Sequence, residues 1–115
     1  MKNLNILEEA NTIIHGARNK SYGHPAKNHG LTSQYWQVYL KNRPNPADPL
    51  SAIDVCFLNI LQKISRSQNG VDPTRDTLTD IAGYAGNVEM IQDFLVDSQK
   101  KHYNKAKGKT NAKTN

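Results

Sequence analysis

The chain has 115 residues, 15 basic against 10 acidic, for a formal net charge of +5 with hydrophobic residues at 37%. Six of the lysines lie between Lys100 and the C-terminus, where there is no acid, so residues 1–99 hold nine basic residues against all ten acids. The basic character therefore belongs to a tail on a nearly neutral body and does not mark that body as a nucleic-acid binder. A single cysteine, Cys56, excludes an intramolecular disulfide framework or a cysteine-based zinc cluster. No apolar stretch reaches the ~18–20 residues of a membrane span, and Glu8 and Glu9 stand where a signal peptide would be apolar. A cytoplasmic protein is expected, with one domain over 1–99 and a basic tail over 100–115.

In residues 4–17, Ile6, Ala10, Ile13, Ile14 and Ala17 recur at spacings of three and four, which predicts an amphipathic first helix ending near Gly16. Residues 18–30 hold Ser21, Gly23, Pro25 and Gly30 and read as a loop. A short second helix follows over about 29–41, with Asn28 as its expected cap, and Asn42-Arg43-Pro44-Asn45-Pro46 closes it. Residues 49–67 are apolar nearly all round, which fits a central helix, with Asn69-Gly70 as its stop. Asp72-Pro73 reads as the start of a fourth and longest helix, carried by Leu78, Ile81, Ala85, Val88, Ile91 and Leu95. Beyond Gln99 only Tyr103 and small or basic residues remain, so a disordered tail is expected. No stretch alternates with strand periodicity, and the fold class is all-α, a compact bundle-like domain of four helices.

Asp76 and Asp80 share a face of the fourth helix, and two carboxylates so placed repel unless a cation such as Mg²⁺ lies between them. Acids in a first turn also simply complement the helix dipole. Asp54 falls among Leu50, Phe57, Leu58 and Leu61, so it is paired, protonated or metal-bound, or else a partly wet capping acid near Ser51. Lys63 and Arg66 either complement the end of their helix or clamp a phosphate; Lys63 points opposite to Asp54 around that helix. The loop with Tyr22, Gly23 and His24 offers an aromatic face, donors and a glycine, suited to a nucleobase or ribose, or to a plain turn. His15 and His29 have no partner at metal-ligand spacing. Gly83 and Gly86 cost a helix about 1 kcal/mol each relative to alanine, which points to close approach of another helix or a ligand near Tyr84.

Tyr22-Gly23-His24 with Asn28, the helix carrying Asp54 and Lys63-Ile64-Ser65-Arg66, and the run from Asp76 through Asp80-Ile81-Ala82-Gly83-Tyr84 together resemble a family of small phage and prophage proteins of uncharacterised function, over about residues 6–92. More distantly the chain is similar to phage nucleotide-modification-associated domains and to the all-α pyrophosphohydrolases of the MazG and dimeric dUTPase type. The resemblance implies an oligomeric nucleotide-binding scaffold with Tyr22, Gly23, His24, Asn28, Lys63, Arg66 and Tyr84 toward a nucleotide and Asp54, Asp76 and Asp80 toward Mg²⁺. Those enzymes carry Glu-x-x-Glu and Glu-x-x-Asp pairs, in whose place this chain has Asp54 alone and Asp76-x-x-x-Asp80. Three readings follow: a Mg²⁺-dependent nucleoside triphosphate pyrophosphohydrolase, a phage protein that sequesters a nucleotide immune signal of the bacterial host without turnover, or a structural helical bundle. The tail either adds weak non-specific affinity for nucleic acid or serves solubility.

Overall fold

The computed structural model describes residue 3, residues 5–68 and residues 73–114; the Asn69-Gly70 stop and Asp72 of the proposed helix start lie outside the described residues. The described chain is all-α, with α1 Ile6–His15, α2 Ala17–Tyr22, α3 Pro25–Lys41, α4 Ala52–Arg66 and α5 Arg75–Thr114.

The expected first helix is two. A capping box starts α1: the Asn5 side chain accepts from the Glu8 backbone N–H and Glu8 accepts from that of Asn5. Gly16 ends it in a backbone conformation where a Cβ would come within 2.9 Å of the Thr12 carbonyl oxygen, so a side chain there is sterically excluded. The chain restarts as α2 inside the stretch expected to be a loop, and only Gly23, at φ 79°, is left to turn it. His24, not Asn28, caps α3: its Nδ1 accepts from the Ala26 N–H, and Pro25 occupies the first helical position. The helix thus begins four residues earlier than its apolar repeat predicts, and Asn28 is buried within it.

Helices α3 and α4 are fastened by polar groups as much as by apolar ones. Thr32 Oγ1 donates to Ser65 Oγ at 3.0 Å, Trp36 Nε1 to the Leu58 carbonyl at 2.8 Å, and Tyr39 Oη to Asp54 Oδ1 at 2.7 Å. Rising residue numbers on α3 meet falling ones on α4, so the pair is antiparallel. Helix α5 covers the opposite side of α4, with Lys63 Nζ 2.9 Å from Asp80 Oδ2. Between Arg75 and Ile91 the half-buried residues of α5, Thr77, Asp80, Ile81, Tyr84, Val88 and Ile91, mark that contact face. Thr74 supplies its start, accepting from the Thr77 N–H through Oγ1.

Burial is thin. The buried apolar side chains among the described residues are Cys56 and Leu58, both on the central helix, and the chain extends over 71 × 42 × 26 Å. Helix α5 extends along the basic tail to Thr114. The tail has no proline, and its lysines and alanines suit a helix, whose backbone hydrogen bonds need no tertiary partner. Its described side chains up to Gly108 are exposed, as the shortage of apolar residues requires. No helix among the described residues is long and apolar enough to cross a membrane.

Candidate functional site

Asp54 is a structural acid. It completes a capping box with Ser51 at the start of α4: its Oδ2 accepts from the Ser51 backbone N–H and its own N–H donates to Ser51 Oγ. Its carboxylate also accepts from Tyr39 and pairs with Arg43 at 3.2 Å. The hydrogen bond from the Ser51 backbone, reinforced by Tyr39 and Arg43, holds the carboxyl down at about 2. Burial and the adjoining Asp54 carboxylate push the Tyr39 phenol up to about 12. The guanidinium of Arg43 donates to the carbonyls of Pro46, Asp48 and Pro49 as well, so one side chain ties the proline-rich turn to the head of α4. The concavity beside this cluster, about 590 Å³, is the larger one, but its charged groups already serve each other.

The metal set read from the sequence is not assembled within one chain. Asp80 is paired with Lys63 on the α4–α5 seam, and Lys63 is nine residues beyond Asp54 on α4, about 13 Å along the axis. Asp76 is exposed at the start of α5. No group of three or more His, Cys, Asp or Glu side chains suited to a metal occurs among the described residues. The physical reason is that α4 lies between α3 and α5, so its two charged faces look at different neighbours.

At the other end of α4 the situation reverses. A cleft of about 100 Å³ is lined by Ile14, Arg18, Gly23, Pro25, Asn28, His29 and Arg66. The Arg66 guanidinium lies 4.8 Å from the centroid of the Tyr22 ring, a cation–π contact that holds the side chain in place. Its Nε is buried without a hydrogen-bond partner, and Arg66 makes no ion pair with the described residues. Asn28 is buried, and while its backbone N–H donates to the His24 carbonyl and its own carbonyl accepts from Thr32 Oγ1, its side-chain amide has no protein partner among the described residues. The start of α3 adds the positive end of a helix dipole to the same side. An arginine, a second arginine, an amide and an imidazole thus converge on a small space with donors to spare.

Of the residues read as nucleotide-binding, Gly23, Asn28 and Arg66 line the cleft and Tyr22 supports Arg66. His24 is one residue removed, its ring nitrogen used as the α3 cap. Lys63 and Tyr84 lie instead on the α4–α5 seam, one turn of α4 and a helix away. Arg18, His29 and Ile14 join the cleft without having been singled out, because they come from helices that converge only when α2 folds back against α3. Arg18 at the head of a turn-rich stretch was the available signal.

A family model described as "Domain of unknown function (DUF6378)" matches residues 5–92, which includes the whole cleft and both charged faces of α4. The chain is 43% identical to the Gene 55 protein of Mycobacterium phage D29 over 98 residues, covering 85% of this chain and 60% of that protein. It is 37% identical to the Gene 55 protein of Mycobacterium phage L5 over 90 residues, covering 77% and 53% respectively. The chain therefore spans little more than half the length of these relatives. No solved structure matches it.

Proposed function

The chain belongs to the DUF6378 family, a domain of unknown function shared with mycobacteriophage proteins, and from that premise we propose that it binds a phosphate-bearing small molecule, a nucleotide, at the cleft between α2, α3 and α4. The observation that carries the reading is Arg66: fixed over Tyr22, buried at Nε, and without any hydrogen bond or ion pair to the described protein. Unpartnered buried donors are costly, and an anion relieves that cost with charge-assisted bonds. About 100 Å³ is room for roughly three waters at ~30 Å³ each, or one phosphoryl group, and well below the ~300 Å³ of a pocket that encloses a whole drug-sized ligand. The phosphate would enter, hydrogen-bonded by Arg66, Arg18 and Asn28, while sugar and base remain outside near Gly23 and His24.

Binding without turnover is favoured over hydrolysis because Asp54 and Asp80 are each held by a cation of the protein. A protein of this kind acts by holding a nucleotide, as a phage protein does that withholds a host signal. The test is titration with inorganic phosphate, nucleosides and a panel of linear and cyclic nucleotides, read by heat and melting temperature. Saturable binding that needs the phosphate and is lost in Arg66→Ala is the expected outcome; no binding across the panel overturns the reading. Mg²⁺ in the same panel separates the enzyme: pyrophosphate release that is lost in Asp76→Ala and Asp80→Ala would establish hydrolysis instead.

A further inference from the structure

Helix α5 has a second face that nothing among the described residues covers. With α4 against the Thr77, Ile81, Tyr84, Val88 and Ile91 side, the residues Gly83, Gly86, Met90 and Phe94 fall within ~80° of each other on another side. Met90 is 70% and Phe94 68% exposed. Among the described residues the two glycines have nothing within 4 Å of where a Cβ would sit, so the close neighbour that their cost implies is not found there.

We infer that this face docks the α5 helix of a second copy of the chain, antiparallel, about a two-fold axis near residue 88. Area is the first argument. The chain exposes 9400 Å², whereas a compact monomer of 12.9 kDa exposes about 6300 Å². The radius of gyration is 21.4 Å against about 13 Å for a compact chain of this length. The projecting end of α5 contributes part of the excess; Met90 lies beside the last residue packed on α4, Ile91, and Phe94 one turn beyond it. A standard interface hides about 800 Å² per partner, well inside what is available.

Register is the second argument, and it selects a copy of this chain over another helix. In one antiparallel alignment Phe94 of each copy meets Gly83 of the other and Met90 falls within one residue of Gly86, so large side chains lie over or next to bare glycines on both sides of a two-fold axis. The same alignment sets Asp76 opposite Lys101, which share that face by helical spacing. Neither has an ion-pair partner among the described residues. Size and charge thus point to the same axis, and the tail gains a role for its first lysines.

Sedimentation or light scattering of the full chain at micromolar concentration tests this. The expected mass is that of two chains, and Phe94→Glu raises the dimer dissociation constant by at least about thirtyfold. A monomer, or a dimer indifferent to Phe94→Glu, overturns the proposal. Should Phe94→Glu lose helicity by circular dichroism, the charge pair decides. Asp76→Lys and Lys101→Asp each weaken the dimer and together restore it; failure of the double variant to restore overturns the antiparallel register. The cleft lining comes from residues 14–66 and none of it from α5, so Arg66→Ala is expected to leave the mass unchanged.

Discussion

A half-buried arginine stands at each end of α4, each with a buried Nε that finds no partner among the described residues, and the pair differ in what the rest of each guanidinium touches. Arg43, at the head of α4, donates to three backbone carbonyls and pairs with a carboxylate that is itself hydrogen-bonded by Tyr39 and Ser51. Arg66, at the tail of α4, has an aromatic ring and no acceptor. Charge and burial alone do not distinguish a structural arginine from a ligand-binding one; the acceptors do. Arg43 is committed to shaping the turn after α3, and Arg66 is committed to nothing within the described chain.

The largest expected effect separates the ends directly. Arg66→Ala lowers phosphate or nucleotide affinity by roughly tenfold to a hundredfold in calorimetric titration, the range for charge-assisted hydrogen bonds, with little change in melting temperature. Arg43→Ala does the reverse, lowering the melting midpoint by roughly 5–10 °C while leaving affinity in place, because it removes the counter-ion of Asp54 and the donor that ties three carbonyls of the turn to the start of α4. If Arg43→Ala abolished binding and Arg66→Ala did not, the contrast would have been drawn the wrong way round.

Acid sharpens it further. The Asp54 carboxyl titrates at about 2 in the folded chain against an ordinary 3.8. A depressed carboxyl stabilises the fold fully above the unfolded value and loses that contribution as pH falls through the folded one. The stability gap between the wild-type chain and Asp54→Asn, followed by urea titration, is therefore constant at neutral pH and closes between about pH 4 and pH 2. Thr32→Val is a smaller probe of the seam between the two ends. It strands the buried Ser65 hydroxyl at a cost of about 1–2 kcal/mol in urea unfolding. Smallest of all, removing residues 102–115 changes neither phosphate affinity nor the dimer, since Lys101 remains and the rest of the described tail is exposed.

How much of this is legible in the sequence varies element by element. Helix α4 is readable because its apolar residues recur all round and Ser51 stands three before Asp54, the spacing of a capping box. The start of α3 is not, because His24 caps it through an imidazole nitrogen, a use no apolar repeat announces. The end of α1 is half legible: Gly16 marks a stop, but that helix resumes one residue later depends on a carbonyl 2.9 Å from its missing Cβ. Of the candidate site, Asn28 and Arg66 could be named in advance. Their convergence with Arg18 and His29 requires α2, α3 and α4 to meet, and residues 18 and 66 carry no shared periodicity that would reveal it.

What the sequence by itself determined is the helical fold, the separation of a neutral body from a basic tail, and the short roster of charged residues on α4 and α5. Those follow from local periodicity, composition and capping, which act over a few residues. Only the tertiary structure decided which charges are spent. By laying α4 between two helices it gives Asp54 to Arg43 and Asp80 to Lys63, and it leaves Arg66 with an aromatic support and no counter-ion, because pairing depends on which faces meet across a seam.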